Sequence, residues 1–458
     1  MAHALDRHLV LIGFMGAGKT TLGAEVARRL GRPFRDVDDE VERAEGPIWE
    51  IFAEQGEAAF RELEARFVRE ACSRREPSVI AVGGGAVETR QLLDQLDALI
   101  VYLEADVEAC WTRARGSRRP LAQDETAFRR RYEERRPLYE ELADAVAGDA
   151  DDVVLAAGGV AVGGVLEPRA SVEVVADERV VELHPIPAQG PLHTVPPGEA
   201  AKSLTTVERL WGELRLDRAG TLVAFGGGCT TDVAGFVAST YLRGVAWVAV
   251  PTTLVGQVDA AIGGKTGVNL PDGKNLVGAF HWPDRTLVVP RYLATLPPEQ
   301  RREGMAEVVK TGLLAGESLW ELPQAELVRR CAAYKTAVCL RDPYEHGERA
   351  ALNLGHTFAH ALEAAGGFEQ VSHGHAVALG LRAALRLSGL DTAVVDEVLR
   401  PEPVRVDPEA AWAALARDKK ARSGRPRLVL LETPGKPVTE VELPEDRVRA
   451  ALDELIAQ

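Results

Sequence analysis

Cysteine is scarce. The chain has five (Cys72, Cys110, Cys229, Cys331 and Cys339), an odd number, widely scattered and without a CxxC spacing. That pattern excludes a disulfide framework and a thiolate metal site, and it fits a reducing compartment. Positive charge is also in deficit: 54 Lys and Arg stand against 69 Asp and Glu, a net charge of −15. A general nucleic-acid binder needs a basic face, so that class is set aside. No apolar stretch reaches membrane-spanning length. The early run HLVLIGF is short and leads straight into a glycine-rich turn, unlike a secretory signal. The expectation is a cytoplasmic protein with no membrane span. The residues that are present, 46 % hydrophobic and 27 % charged over 458 positions, have the composition of globular domains. One core rarely grows to that length, and two or three domains are expected.

HLVLIGF suits a buried strand, GFMGAGKT follows, and TLGAEVARRL has helical periodicity. This is GxxxxGK[ST] in its strand–loop–helix context, a phosphate-binding loop. Gly13, Gly16 and Gly18 let backbone N–H groups encircle phosphate oxygens, and the helix that follows presents its positive end. Gly16, Ala17, Gly18, Lys19, Thr20 and Thr21 are the expected ATP contacts, with Lys19 on the phosphates and the Thr20 hydroxyl on Mg²⁺.

A second constellation lies in RAALNLGHTFAHALEAAGGFEQVSHGH. Arg349, Asn353, His356 and His360 fall at steps of 4, 3 and 4, which a helix would place on one stripe. Such a stripe is a poor core face and a good lining for a charged pocket. His373 and His375 follow a glycine-containing break, so a loop could fold them back towards it. Upstream, Glu307 sits in the amphipathic REGMAEVVKTGLL, with Lys310 a turn beyond. Two imidazoles and a carboxylate are the ligand set of a catalytic zinc with an open position. Gly226, Gly227 and Gly228 after the strand TLVAF suggest a dinucleotide pyrophosphate site, although GxGxxG is absent.

The first domain resembles shikimate kinase over nearly its whole length. RDVDDEVE is similar to that family's acidic motif, which implies that Asp38 orients and deprotonates the acceptor hydroxyl and that Asp36 stands on the metal side. The resemblance further implies that Arg61 grips the substrate carboxylate and that Gly83, Gly84 and Gly85 pack against the ring. It gives Arg119 to a lid over the phosphates and Arg135 to a second carboxylate clamp. Guanidinium forks suit planar carboxylates. The other arginines between Arg113 and Arg136 read as a solvated helix. The family's last helix reads here as shortened or absent.

From Glu199 to Gly389 the chain resembles 3-dehydroquinate synthase. The resemblance implies NAD contacts at Glu199, Lys202, Gly227, Gly228, Asp232, Thr252 and Thr253. It implies substrate contacts at Asp259, Lys265, Lys274, Asn275, Lys310, Lys335, Arg349 and Asn353. Zn²⁺ (or Co²⁺) falls to Glu307, His356 and His373, and phosphate elimination to His360. Lys265, Lys310, His360 and Arg243 are the catalytic candidates of this half, as Asp38 and Lys19 are of the other. Arg243 matches an arginine that reaches a neighbouring subunit's site, which implies a homodimer. His375 stands where the family has glutamate, and its role stays open between an outer partner, a competing ligand and neither. The segment before Glu199 is shorter than usual. Lys419 or Lys420, in RDKKARSG, stands in a motif similar to one that approaches the substrate.

The fold expected is α/β throughout: a three-layer P-loop domain with a parallel sheet, like nucleoside monophosphate kinases (1–155), an α/β NAD-binding domain (156–290) and an all-α metal and substrate domain (291–458). The function implied is bifunctional, with ATP and Mg²⁺ serving one site and NAD and Zn²⁺ the other. Two other readings compete: a metal-dependent polyol dehydrogenase in the second half, and an ATP-sensing module in the first. The Lys, Arg and Asn set around the histidines argues against the former; Asp38, Arg61 and Arg135 argue against the latter.

Overall fold

HLVLI forms β1 (His8–Ile12), buried at all five residues. The computed structural model describes residues 5–116, 120–167, 169, 171–271, 273–367, 370–417 and 426–457. With β2 (Phe34–Asp36), β3 (Val79–Ala81), β4 (Ala98–Leu103) and β5 (Ala145–Ala147), β1 makes a sheet of order β2-β3-β1-β4-β5. Every pairing in it is parallel. Parallel sheets bury both faces, and alternation divides β1 between them. Val10 and Ile12 join Val37, Val68, Ile80 and Tyr102 in one core. Leu11 turns the other way, towards Gly23 of the Lys19–Leu30 helix, where an added Cβ would lie 3.1 Å from Leu11 Cδ1. The last helix of this unit is present but short, Ala150–Ala157, capped by Asp149 and tied to the Lys19–Leu30 helix by Arg29 and Asp151 at 2.6 Å.

Contacts divide the chain into two compact units, Met1–Gly159 and Val160–Gln458. The glycine- and alanine-rich stretch around this point could be read as a linker or an edge hairpin, and it is neither. β6 (Val160–Val162) lies parallel to β13 (Arg285–Val288) in the second unit. Its partner comes from far along the chain, which local sequence cannot reveal. Between them come β7 (Val172–Asp177), β8 (Leu192–Val195), β9 (Thr221–Gly226) and β10 (Ala246–Pro251), giving the order β6-β13-β10-β9-β7-β8. This sheet too is parallel throughout. A hairpin of β11 (Lys265–Leu270) and β12 (Gly273–Phe280) stands beside it.

The remainder is mainly helical, with Pro298–Ala315, Gln324–Arg341, His356–Ala365 and His373–Leu387 as its longer helices. Phe358, Leu362, Val377 and Leu381 centre its core, and a hairpin of β14 (Leu428–Thr433) and β15 (Lys436–Val441) packs on it.

The single stripe expected for Arg349, Asn353, His356 and His360 does not form. Glu348–Asn353 is a 3-10 turn, and the helix begins at His356 after Gly355, whose φ is 79°. The cause is a close backbone approach: a Cβ on Gly355 would lie 2.8 Å from Leu381 N, and one on Gly380 would lie 2.0 Å from Gly355 O. Only His356 and His360 share a helix.

Candidate functional site

In the first unit the loop after β1 carries Gly13, Gly16 and Gly18 at φ 150°, 82° and 100°. At Gly16 the backbone passes so near the Ala105–Cys110 stretch that a Cβ would sit 2.4 Å from Cys110 O. Lys19 Nζ donates to the carbonyls of Gly13 (2.8 Å) and Phe14 (3.2 Å), so its ammonium lies over the loop. Thr20 Oγ1 donates to Asp36 Oδ2 at 2.6 Å. Asp36 Oδ1 in turn accepts from the N–H groups of Asp38 and Asp39, capping the Val37–Glu45 helix. The hydroxyl and carboxylate are hard oxygen donors suited to Mg²⁺.

The three glycines after β3 lie close against the side chains and backbone around them. A Cβ on Gly83 would lie 2.0 Å from Glu64 Oε1 and 2.9 Å from Asp38 Oδ1; one on Gly85 would lie 2.0 Å from Arg61 Nη2. Arg61 pairs with Glu64 at 2.7 Å and Glu57 at 2.8 Å. Burial pushes the Glu64 carboxyl up against the pull of Arg61. Arg135 is buried and donates to Glu88 Oε1 and to Gly84 O. Asp38, Arg61, Gly83, Gly84, Gly85 and Arg135 therefore meet as a group. Arg113 donates to Gly16 O and Ala17 O, on the phosphate-binding loop. Arg119 lies outside the described residues, as do Lys419 and Lys420.

In the second unit a cavity of about 1160 Å³ is lined by residues from the ends of β9 and β10, the β11–β12 hairpin and the helices that begin at His356 and His373. Gly227 caps the Gly228–Thr240 helix. Neither Gly227 nor Gly228 has room for a Cβ, which would lie 3.0 Å from Thr253 Cγ2 and 2.9 Å from Ala260 Cβ respectively. A bare helix N-terminus is a pyrophosphate cradle. Lys202, 3 % exposed, bridges Asp232 Oδ2 (2.5 Å) and Asn275 Oδ1. Glu199 accepts from Asn269 Nδ2 at 2.6 Å. Thr252 N donates to Gly226 O, and Thr253 Oγ1 accepts from Gly256 N.

Across the cavity, Glu307, His356 and His373 offer ligand atoms all within 4.8 Å of one another, the one such group among the described residues. Glu307 Oε1 is 3.5 Å from His356 Nε2 and 3.3 Å from His373 Nε2. Both carboxylate oxygens are buried and receive no hydrogen bond of acceptable angle, though Lys310 Nζ lies 2.5 Å from Oε2. Burial resists ionisation of Glu307, but Lys310 and the imidazoles hold it well below the usual carboxylate range. Burial and Lys310 push His356 down to about 4. Burial opposes charge on His373 too, but carboxylates on both sides raise it to about 10. The outer nitrogens are spoken for: His356 Nδ1 meets Leu354 O at 3.2 Å and His373 Nδ1 meets Glu363 Oε2 at 3.5 Å. That leaves both Nε2 atoms aimed at Glu307, an arrangement that fits a metal with three protein ligands.

Around the cluster, Lys310 also donates to Asp259 at 3.1 Å, and Lys335 donates to the Asp259 carboxylate and carbonyl. Burial pushes Lys335 down to about 8. Lys265 pairs with Glu345 at 2.5 Å, and Asn353 donates to the same residue. Lys274 meets Glu363 at 3.1 Å, and His360 opens onto the cavity, its ring 5.6 Å from that of His356.

Neither Lys310 nor Lys335 lines the cavity itself, and two more expected residues lie elsewhere. Arg349 is buried and spent on Gly263 O and Pro343 O, with its guanidinium over Phe280. Arg243 is exposed at φ 70° beside Leu242 at φ 51°, and does not line the cavity. His375 turns away from the histidine pair to the carbonyl of Glu402 at 2.6 Å. Glu64, Glu88, Glu345 and Glu363 belong to these sites without having been singled out in the sequence. For Glu363 a signal existed, since it falls seven residues after His356 and three after His360, on their face of one helix.

A phosphate-loop kinase fold in one unit and a dinucleotide cradle facing a metal triad in the other define a two-site enzyme. Residues 15–162 match the shikimate kinase family; 192–303 match the 3-dehydroquinate synthase N-terminal family and 304–421 its C-terminal counterpart. The bifunctional shikimate kinase/3-dehydroquinate synthase of Thermotoga maritima is 33 % identical over 93 % of this chain and 96 % of its own. The 3-dehydroquinate synthase of Opitutus terrae is 42 % identical over 60 % of this chain and 84 % of its own. The 2-epi-5-epi-valiolone synthase of Streptomyces hygroscopicus, solved with NAD⁺ and Zn²⁺ bound, superposes with a TM-score of 0.55 at 27 % identity, covering 65 % of this chain and 96 % of that one. The chain belongs to the family of bifunctional shikimate kinase/3-dehydroquinate synthases.

Proposed function

We propose that the first unit transfers the γ-phosphoryl group of ATP to shikimate and that the second converts 3-deoxy-D-arabino-heptulosonate 7-phosphate into 3-dehydroquinate with release of phosphate. The observation that carries the reading is the coexistence, on one cavity, of a glycine cradle with the two histidines of the Glu307–His356–His373 triad.

In the kinase unit, phosphoryl transfer needs positioning and charge neutralisation more than covalent chemistry. The loop N–H groups and Lys19 hold the phosphates, and Thr20 with Asp36 holds Mg²⁺. Arg61 and Arg135 take the acceptor's carboxylate, which leaves the ring against Gly83, Gly84 and Gly85. Asp38 then receives the proton of the attacking hydroxyl.

In the synthase unit, Gly227 and Gly228 take the dinucleotide pyrophosphate at the helix N-terminus, with Glu199, Lys202, Asp232, Thr252 and Thr253 around it. Glu307, His356 and His373 hold the zinc. NAD supplies reversible hydride acceptance and zinc supplies Lewis acidity when bound. Lys265, Lys274, Asn275 and Asn353 face the substrate, and His360 stabilises the phosphate as it leaves. Lys310 and Lys335 fix Asp259, and Lys335 at about 8 can hold or release its proton near neutral pH.

Arg349 acts by shaping the Gly263 turn. The synthase part forms a homodimer in which the exposed Arg243 reaches the partner's cavity. Five free cysteines support a cytoplasmic location.

The test supplies purified protein, loaded with zinc and NAD⁺, with the heptulosonate phosphate, and separately with ATP and shikimate. Phosphate release without net NADH, together with ADP formation that depends on shikimate, is expected. Accumulating NADH would instead identify a dehydrogenase.

A further inference from the structure

Arg61 and Arg135, which the proposed function gives to the acceptor's carboxylate, already share a carboxylate of the chain itself. Glu88 lies on the short turn Ala86–Thr89, directly after the three glycines. Its Oε1 accepts from Arg135 Nε at 3.0 Å and Nη2 at 2.8 Å, and its Oε2 is 3.8 Å from Arg61 Nε. The Nε–Nη2 edge of Arg135, which has the geometry to take a carboxylate, is thus occupied. Arg61 has Glu57 and Glu64 besides, whereas among the described residues Glu88 is the one carboxylate within ion-pair range of Arg135.

Exposure separates the two partners. The Arg135 side chain is 3 % exposed and that of Glu88 46 %. The buried guanidinium is fixed, while the acid stands at the solvent boundary and can rotate outward at the modest cost of an exposed pair. A buried guanidinium left with no anion is costly, so Glu88 has a reason to sit there whenever the acceptor is absent.

We propose that Glu88 is an internal competitor for the acceptor's carboxylate, covering the Arg61–Arg135 fork in the free enzyme and swinging out as the acid enters. Apparent affinity is then the intrinsic affinity reduced by the fraction of molecules with the fork open. The inference rests on the carboxylate role given to the two arginines.

The test measures shikimate KM in steady state and shikimate Kd by calorimetry, on the full chain and on Glu88→Gln, Glu88→Ala and Arg135→Met. Both Glu88 variants are expected to lower KM and Kd for shikimate about fivefold, the ratio that a half-exposed ion pair carries. Affinity for the uncharged carboxamide of shikimate should not improve, and a merely structural effect would move both compounds together. Unchanged or weakened shikimate binding in Glu88→Gln overturns the proposal. Arg135→Met separates the two layers: if it leaves shikimate affinity intact, the carboxylate assignment itself falls, and if it weakens affinity while Glu88→Gln does nothing, only the competitor role falls.

Discussion

Replacing Glu363 with Gln removes the charge that orients one histidine of the triad while keeping the side chain's shape. Glu363 is 4 % exposed, 3.1 Å from Lys274 Nζ and 3.5 Å from His373 Nδ1. Burial alone would raise its pKa; His373 and Lys274 instead lower it from 4.5 to about 2. At about 1.4 kcal/mol per unit, this lowering, the net of burial against the pull of His373, Lys274 and His360, amounts to on the order of 3 kcal/mol. Because the folded pKa is depressed, that contribution is present above pH 4.5 and is lost as pH falls towards 2. The carboxylate acts on a bound metal only through His373, and outer partners of ligating imidazoles govern about 10–100-fold in metal affinity. Competition against a chromophoric chelator at neutral pH should therefore show zinc binding weakened by about that factor in Glu363→Gln. Unaltered affinity in a folded variant would refute the reasoning.

Other consequences are equally concrete. At pH 7.5 the metal-free triad has His356 neutral, Glu307 ionised and His373 protonated, so loading the metal should release about one proton; calorimetry in buffers of different ionisation enthalpy counts it, and zero release contradicts the triad's electrostatics. The raised His373 pKa also makes its contribution to metal-free stability complete below pH 6.5 and lost as pH rises through about 10, which denaturant titrations at several pH values would follow. Gly16→Ala forces a left-handed residue and a Cβ against Cys110 O, costing about 1–3 kcal/mol and ATP binding, as thermal unfolding and nucleotide titration would show. Arg349→Met strands one buried and one partly buried carbonyl and should cost about 1–3 kcal/mol in urea unfolding; a variant of full stability with a raised substrate KM would restore Arg349 to the substrate.

Much of both sites was legible because their residues sit where short-range rules apply. GFMGAGKT lies between an apolar run and an amphipathic one, and the structure turns that text into strand, loop and helix. Glu307 and Lys310 are three residues apart on a helix, as their spacing requires. What stayed hidden depends on distant backbone. The close approach of Gly355 and Gly380 breaks the expected stripe, and β6 finds its partner in a strand far along the chain. The carboxylates that neutralise Lys265 and Arg135 come from Glu345 and Glu88, placed by turns with no periodicity of their own. Burial of Arg349 likewise follows from the fold of the Gly263 turn and not from its own neighbours in sequence.

The claim that two independent sites share this polypeptide is tested most directly by assaying both reactions on Lys19→Ala and His356→Ala. The account predicts that Lys19→Ala loses ADP formation with shikimate and keeps phosphate release from the heptulosonate phosphate, and that His356→Ala does the reverse. Either substitution abolishing both reactions in a folded protein would contradict it.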